Sequence, residues 1–160
     1  MNHGDGAIRP MLPSEAGEVS RVIAAAIRAG LSGHYAPEVI EALVAGNSPE
    51  AVAAHAPKQT DFVYVRGGRI AAMIGLKRNE IGHLFVEPSC AGCGIGSELV
   101  SFAAGEFRRA GYDHMMVLSS LNAAGFYAQC GFVDESRGSF PVGRGLNLDY
   151  VRMRCLIQST

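Results

Sequence analysis

The chain has 160 residues, of which 48% are hydrophobic and 18% charged, and its formal net charge is -1. That length fits one domain over residues 1–160 with a sizeable core, and the hydrophobic content excludes a mainly disordered chain. The near-neutral balance gives no footprint for nucleic acid or an anionic membrane, and no apolar run approaches the roughly 20 residues needed to span a bilayer. The opening MNHGDGAIRP has neither a basic segment nor an apolar one, so it does not read as a signal peptide. A cytoplasmic location follows as the expectation, with the 4 cysteines reduced.

Elements of both types alternate along the chain, which predicts a mixed α/β domain. Residues 7–11 read as a first strand, ended by Pro10 and Pro13. Ser14 is a candidate N-cap for a helix whose inner stripe is Val19, Val22, Ile23, Ala26 and Ile27, stopped at Gly30. Pro37 opens a second helix, and Ser48-Pro49-Glu50 opens a short third one. The period then changes to two. Strands are predicted at 61–66, 69–76 and 80–86, joined by a Gly67-Gly68 hairpin and a Lys77-Arg78-Asn79 turn.

A glycine-rich loop follows, and a helix from 95 to 110 closes at Gly111. Glu106 falls beside the apolar stripe of that helix without a partner evident in the sequence. A strand at 114–118 precedes a short helix at 123–130, capped by Asn122 and ended by Gly131. Strands at 132–136 and 148–157 finish the chain. Residues 137–147 hold several glycines and Pro141, and read as a loop or irregular hairpin tip.

The chemistry is carried by the strand, loop and helix of IGHLFV, EPSCAGCGIGS and ELVSFAAGEF. Gly92, Gly94 and Gly96 free the backbone N–H groups at a helix start, where unpaired donors and the helix dipole favour an anion such as a diphosphate. A Walker A loop fails, because no lysine precedes Ser97. A dinucleotide fingerprint also fails: the spacing is G-x-G-x-G and six residues, including Pro88, separate strand from turn.

FVEPSCAGCGIGSELV resembles the pyrophosphate-binding motif of the Gcn5-related N-acetyltransferase (GNAT) superfamily. SSLNAAGFYAQCGF resembles that superfamily's second cofactor motif, with Asn122, Phe126, Tyr127, Gly131 and Phe132 in place. Together the motifs cover about residues 80–132, and the upstream helices and hairpin stand in the family's order. The resemblance implies a central, mostly antiparallel mixed sheet of six to seven strands flanked by helices and splayed between the fourth and fifth strands. It implies acetyl-CoA as co-substrate and no metal. Pantetheine would lie in the split against Leu84, Phe85 and Val86. The pyrophosphate would sit on the loop formed by Ala91, Gly92, Cys93, Gly94, Ile95, Gly96 and Ser97, with Asn122 and Tyr127 flanking the sulfur. The chain departs from the family at Ala91, where relatives carry Gln or Arg, and at Cys93, where many carry a basic residue. Charge-assisted bonds to phosphate are therefore fewer.

Amine acetylation needs one proton removed from the amine and benefits from one delivered to the thiolate. Tyr127 is the candidate acid on the resemblance, against the reading of a ring that only packs. Glu80 is the candidate base, acting through water, against a plain strand-end carboxylate. By a period of two His83 falls on the opposite face from Glu80 and reads as a packed histidine. Cys90 and Cys93 form a C-x-x-C without the second ligand pair of a structural zinc site, so both read as free thiols. The resulting expectation is direct acetyl transfer to a primary amine of a small molecule or peptide. The alternative is a non-enzymatic acyl-CoA-binding or regulatory module on the same fold, and a homodimer is the assembly the family suggests.

Overall fold

The computed structural model describes residues 6–143 and 145–158. Seven strands form one sheet: β1 (Gly6–Pro10), β2 (Thr60–Arg66), β3 (Arg69–Lys77), β4 (Glu80–Val86), β5 (His114–Ser120), β6 (Val133–Gly143) and β7 (Leu146–Leu156). Their order is β1-β2-β3-β4-β5-β7-β6. All neighbours are antiparallel except β4 and β5. Five helices accompany the sheet among the described residues: α1 (Ala16–Leu31), α2 (Pro37–Ala45), α3 (Pro49–Ala53), α4 (Ile95–Arg109) and α5 (Ala124–Gln129).

The sheet has a core on each face. On one side Val19, Val22, Ile23 and Ile27 of α1 meet Val63 and Met73, with Val52 of α3 beneath. On the other, Leu99, Ala103 and Phe107 of α4 meet Ile74, Ile81, Met115 and Val117. β3 lies between both and is buried from Ile70 to Leu76, so it reads as a continuous apolar run and not as an alternating one. Leu99 is fully enclosed, a position where truncation to Ala costs about 2–5 kcal/mol.

Several local expectations are corrected. Glu15, not Ser14, holds the N-cap position of α1, behind a 3₁₀ turn over Pro13–Glu15. The Glu15 carboxylate accepts from the Leu12 N–H at 2.8 Å and pairs with Arg9 at 2.7 Å, which outweighs a serine cap. α1 runs through Gly30 to Leu31, whose side chain is buried in the α1 core. Residues 137–143 belong to β6 and continue the ladder with β7. Glu106 is explained by its pairing with Arg109 one turn on.

Candidate active site

β4 and β5 pair only through Glu80 with Met116 and Ile81 with Val117. Past Ile81 they separate, and β4 has no partner on its β5 side. The cause lies in β4 itself: Gly75 opposes His83 and Leu76 opposes Ile81, which leaves Gly82 as an extra, bulged residue. The bulge also moves His83. Lys77 opposes Glu80, and Lys77 and Gly75 share a face of β3, so Glu80 and His83 share a face too. The expectation that they stand on opposite faces is thereby corrected.

A cavity of about 710 Å³ opens at the split. Leu84, Phe85 and Val86 form one wall, and the segment from Val117 to Ser120 forms another. α1 and α2 contribute Ile27 and Leu43, and the β6–β7 hairpin contributes Phe140, Pro141 and Val142. These hairpin residues carried no functional signal in the sequence, because Gly and Pro there read as loop. A second cavity of about 380 Å³ adjoins it and is lined by Ala91, Gly92, Gly94, Ile95, Gly96 and Ser97, with Cys90 and Phe126. The two share Leu84, Val86, Ala123 and Tyr127. Cys93 is exposed at the loop, and all four cysteines are free.

The loop geometry explains its glycines individually. Gly92 and Gly94 have φ of 79° and 83°, left-handed values that a Cβ would strain, and Gly94 is the N-cap of α4. Gly96 differs: a Cβ there would lie 3.0 Å from the Phe126 ring, so its role is the close approach of α5 to α4. The resulting cradle is a 15-residue helix whose first N–H groups face an open cavity. Among the described residues no cation lines it, but Arg21, Arg66 and Arg69 line a neighbouring depression that reaches Ser89 and Cys90.

Tyr127 is 6% exposed and stands on the α4–α5 side of the split. Burial, and then the nearby Cys130, push its phenol above the ordinary value, so it stays protonated at any physiological pH. Its hydroxyl has no hydrogen-bond partner among the described residues, and the residue lines both cavities. Asn122 lines the same cavity but is not the cap of α5; Ala123 holds that position without a side-chain bond. His34 and Tyr35 line a separate depression with Leu121 and Asn122, where the Tyr35 hydroxyl accepts from the Leu121 N–H at 3.2 Å. Glu80 is half-buried at the start of β4 and does not line the large cavity, whereas His83 does.

A polar cluster missed in the sequence lies behind His83. Asp61 accepts from His55 Nδ1 and from Gln59 Nε2, both at 2.7 Å, and Gln59 Nε2 is 3.0 Å from His83 Nδ1. Gly75 and Gly82 leave the space that the Gln59 side chain fills; a Cβ at Gly82 would come within 2.6 Å of its Oε1. Two glycines inside adjacent strands are the trace this close approach leaves in the sequence.

No curated protein sequence matches the chain. Among solved structures, the GCN5-related N-acetyltransferase from Rhodopseudomonas palustris is similar at a TM-score of 0.90, with 26% identity and 98% of each chain covered. The PaiA N-acetyltransferase from Thermoplasma acidophilum, solved with coenzyme A, is similar at a TM-score of 0.78, with 18% identity over 94% of this chain and 98% of that one. The ribosomal-protein-S18-alanine N-acetyltransferase from Escherichia coli shares the fold at a TM-score of 0.69, with 16% identity over 97% and 96%. The sequence model for the Acetyltransferase (GNAT) domain matches residues 31–156. With its splayed seven-stranded sheet and glycine-rich loop, the chain belongs to the GNAT acetyltransferase family.

Proposed function

We propose that this protein transfers the acetyl group of acetyl-CoA directly to a primary amine. The observation that carries the reading is the junction of two cavities at Tyr127: one ends at an anion-ready helix start, the other at an apolar pocket. Acetyl-CoA would supply an activated thioester at that junction. The loop amides and the start of α4 would hold its diphosphate, and the unpaired edge of Leu84, Phe85 and Val86 would hold its extended arm. Arg66 and Arg69 would offset the charge that Ala91 and Cys93 do not meet. Tyr127 donates a proton to the departing sulfur, and Glu80 draws the amine proton away through water. Among the described residues, no nucleophilic side chain beside a base argues for an acyl-enzyme. The test is an acetyl-CoA turnover screen across small amines and peptide N-termini. Binding of acetyl-CoA with no turnover on any amine would favour the acyl-CoA-binding module instead.

A further inference from the structure

Among the described residues, the large cavity is lined by no Lys, Arg, Asp or Glu. Three of its polar side chains are already committed: Asn47 donates to the Leu43 carbonyl at 2.8 Å, Asn122 to the Gly30 carbonyl at 2.8 Å, and Ser119 to the Ser120 carbonyl at 2.7 Å. The Ser120 and Tyr127 hydroxyls and one ring nitrogen of His83 are not. His83 Nδ1 faces Gln59, while its Nε2 has no partner among the described residues, and the residue lines the cavity.

The cluster behind it settles the ring's tautomer. A carboxylate only accepts, so both groups that touch Asp61 must donate to it. Gln59 therefore turns its NH₂ toward Asp61, and the same nitrogen directs its second N–H to His83 Nδ1 at 3.0 Å. The Gln59 carbonyl oxygen is farther from that atom, at 3.3 Å. His83 Nδ1 then accepts, and the ring's own hydrogen sits on Nε2, the nitrogen without a partner among the described residues.

We propose that His83 is a specificity-determining residue: held by Gln59 and Asp61, it offers a fixed Nε2–H donor to a neutral carbonyl oxygen beside the acceptor's amine. The substrate class that fits is a small apolar amino-acid amide or a peptide N-terminus. Among the described lining residues a carboxylate would find no cation to meet it, and a polyamine or aminoglycoside would bring charge with no carboxylate to pair. Burial, reinforced by the adjacent His55, lowers the His83 pKa to about 4 against the opposing pull of Asp61, so the ring is neutral at physiological pH. This assignment rests on the acetyltransferase reading above.

Two measurements test it. Long-range ¹H–¹⁵N correlation on the unmodified protein reads which ring nitrogen of His83 carries hydrogen, with His83→Gln assigning the signal. Hydrogen on Nε2 from pH 6 to 8 is expected; hydrogen on Nδ1, or on both nitrogens, overturns the proposal. The second compares kcat/KM for an amino-acid amide with that for the alkylamine of matching shape that lacks the carbonyl. A preference of roughly tenfold for the amide is expected, the size of one buried neutral hydrogen bond. His83→Phe should bring that ratio to about one through KM, and His83→Gln, which keeps an N–H donor, should retain part of it. Turnover of both amines with equal kcat/KM by the unmodified protein sinks the specificity assignment alone. Absence of turnover on every amine sinks the acetyltransferase reading, and this proposal with it.

Discussion

The Asn122 side-chain amide donates to the Gly30 carbonyl at 2.8 Å, joining the turn before α5 to the last turn of α1 across 92 residues. Both residues line the large cavity, so the bond ties two of its walls together. It also satisfies one of the carbonyls that a helix leaves unpaired at its C-terminal end.

Asn122→Ala should therefore destabilise the fold modestly and loosen the acceptor side. The loss of one partly exposed hydrogen bond is worth about 0.5–1.5 kcal/mol, a fall in Tm of a few degrees. Amine KM should rise more than the Kd for acetyl-CoA. Thermal unfolding and steady-state kinetics check both; an unchanged Tm would mean the bond contributes nothing in solution.

Tyr127→Phe keeps the ring that packs against Phe126 and Phe132 and removes only the hydroxyl. A thiolate can leave without help, so the drop in kcat should fall at the lower end of the roughly 10²–10⁴-fold range for general acids. Acetyl-CoA affinity should change little. A variant with the parent kcat would assign Tyr127 to packing. Glu80→Gln should lower the rate chiefly at the acid end of the pH profile, where the amine is most protonated.

The two loop glycines should fail differently. Gly94→Asp puts a side chain at φ 83° and a carboxylate beside the diphosphate, so it should abolish stabilisation by acetyl-CoA. In the parent protein acetyl-CoA should add about 2.7 kcal/mol at 100-fold its Kd. Gly96→Ala meets the Phe126 ring, and overpacking of this kind costs about 1–3 kcal/mol even without ligand. Thermal shifts with and without acetyl-CoA separate the two. An undiminished ligand shift in Gly94→Asp would contradict the loop assignment.

Stability should fall with acid in two windows. The folded His83 pKa, about 4, lies below the ordinary 6.5. The unfolded chain therefore binds that proton first, and stability is full above pH 6.5 and declines toward pH 4 by at most about 3 kcal/mol. The hydrogen bond from Arg9 holds Glu15 at about 2, below the ordinary 4.5. Its contribution is present above pH 4.5 and is lost as pH falls through 2; the partly exposed pair makes this second loss the smaller one. Unfolding free energy measured from pH 8 down to about 1.5 checks both, and His83→Phe should flatten the upper window.

The meander of β2, β3 and β4 was legible because its period is two and its hairpin uses Gly67 and Gly68, both at positive φ. The loop and α4 were legible because their requirements are local. β6 was not. Gly138, Pro141 and Gly143 locally signal a loop, and the ladder with β7 shifts register between Asp134 and Ser136 and again between Pro141 and Gly143. Pairing with a strand that itself sits on β5 overrides that signal, and Gly138 is there because the Tyr150 ring occupies the space of a Cβ. The position of His83 was hidden for a related reason. One bulged residue, Gly82, reverses the face of everything after it, and strand periodicity cannot register an insertion it does not know about.

The two cavities have only Leu84, Val86, Ala123 and Tyr127 in common. On the acetyltransferase reading, the donor half would be the loop and helix start, which tolerate little change, since left-handed glycines and a helix contact fix them. The acceptor half would be the cavity that α2 and an outer hairpin help to line, whose alteration leaves the glycine loop untouched. New amine preferences can thus arise by substitution around Leu43, Phe140 and Val142 while donor use is inherited intact, and libraries confined to those three positions are where an engineer would begin.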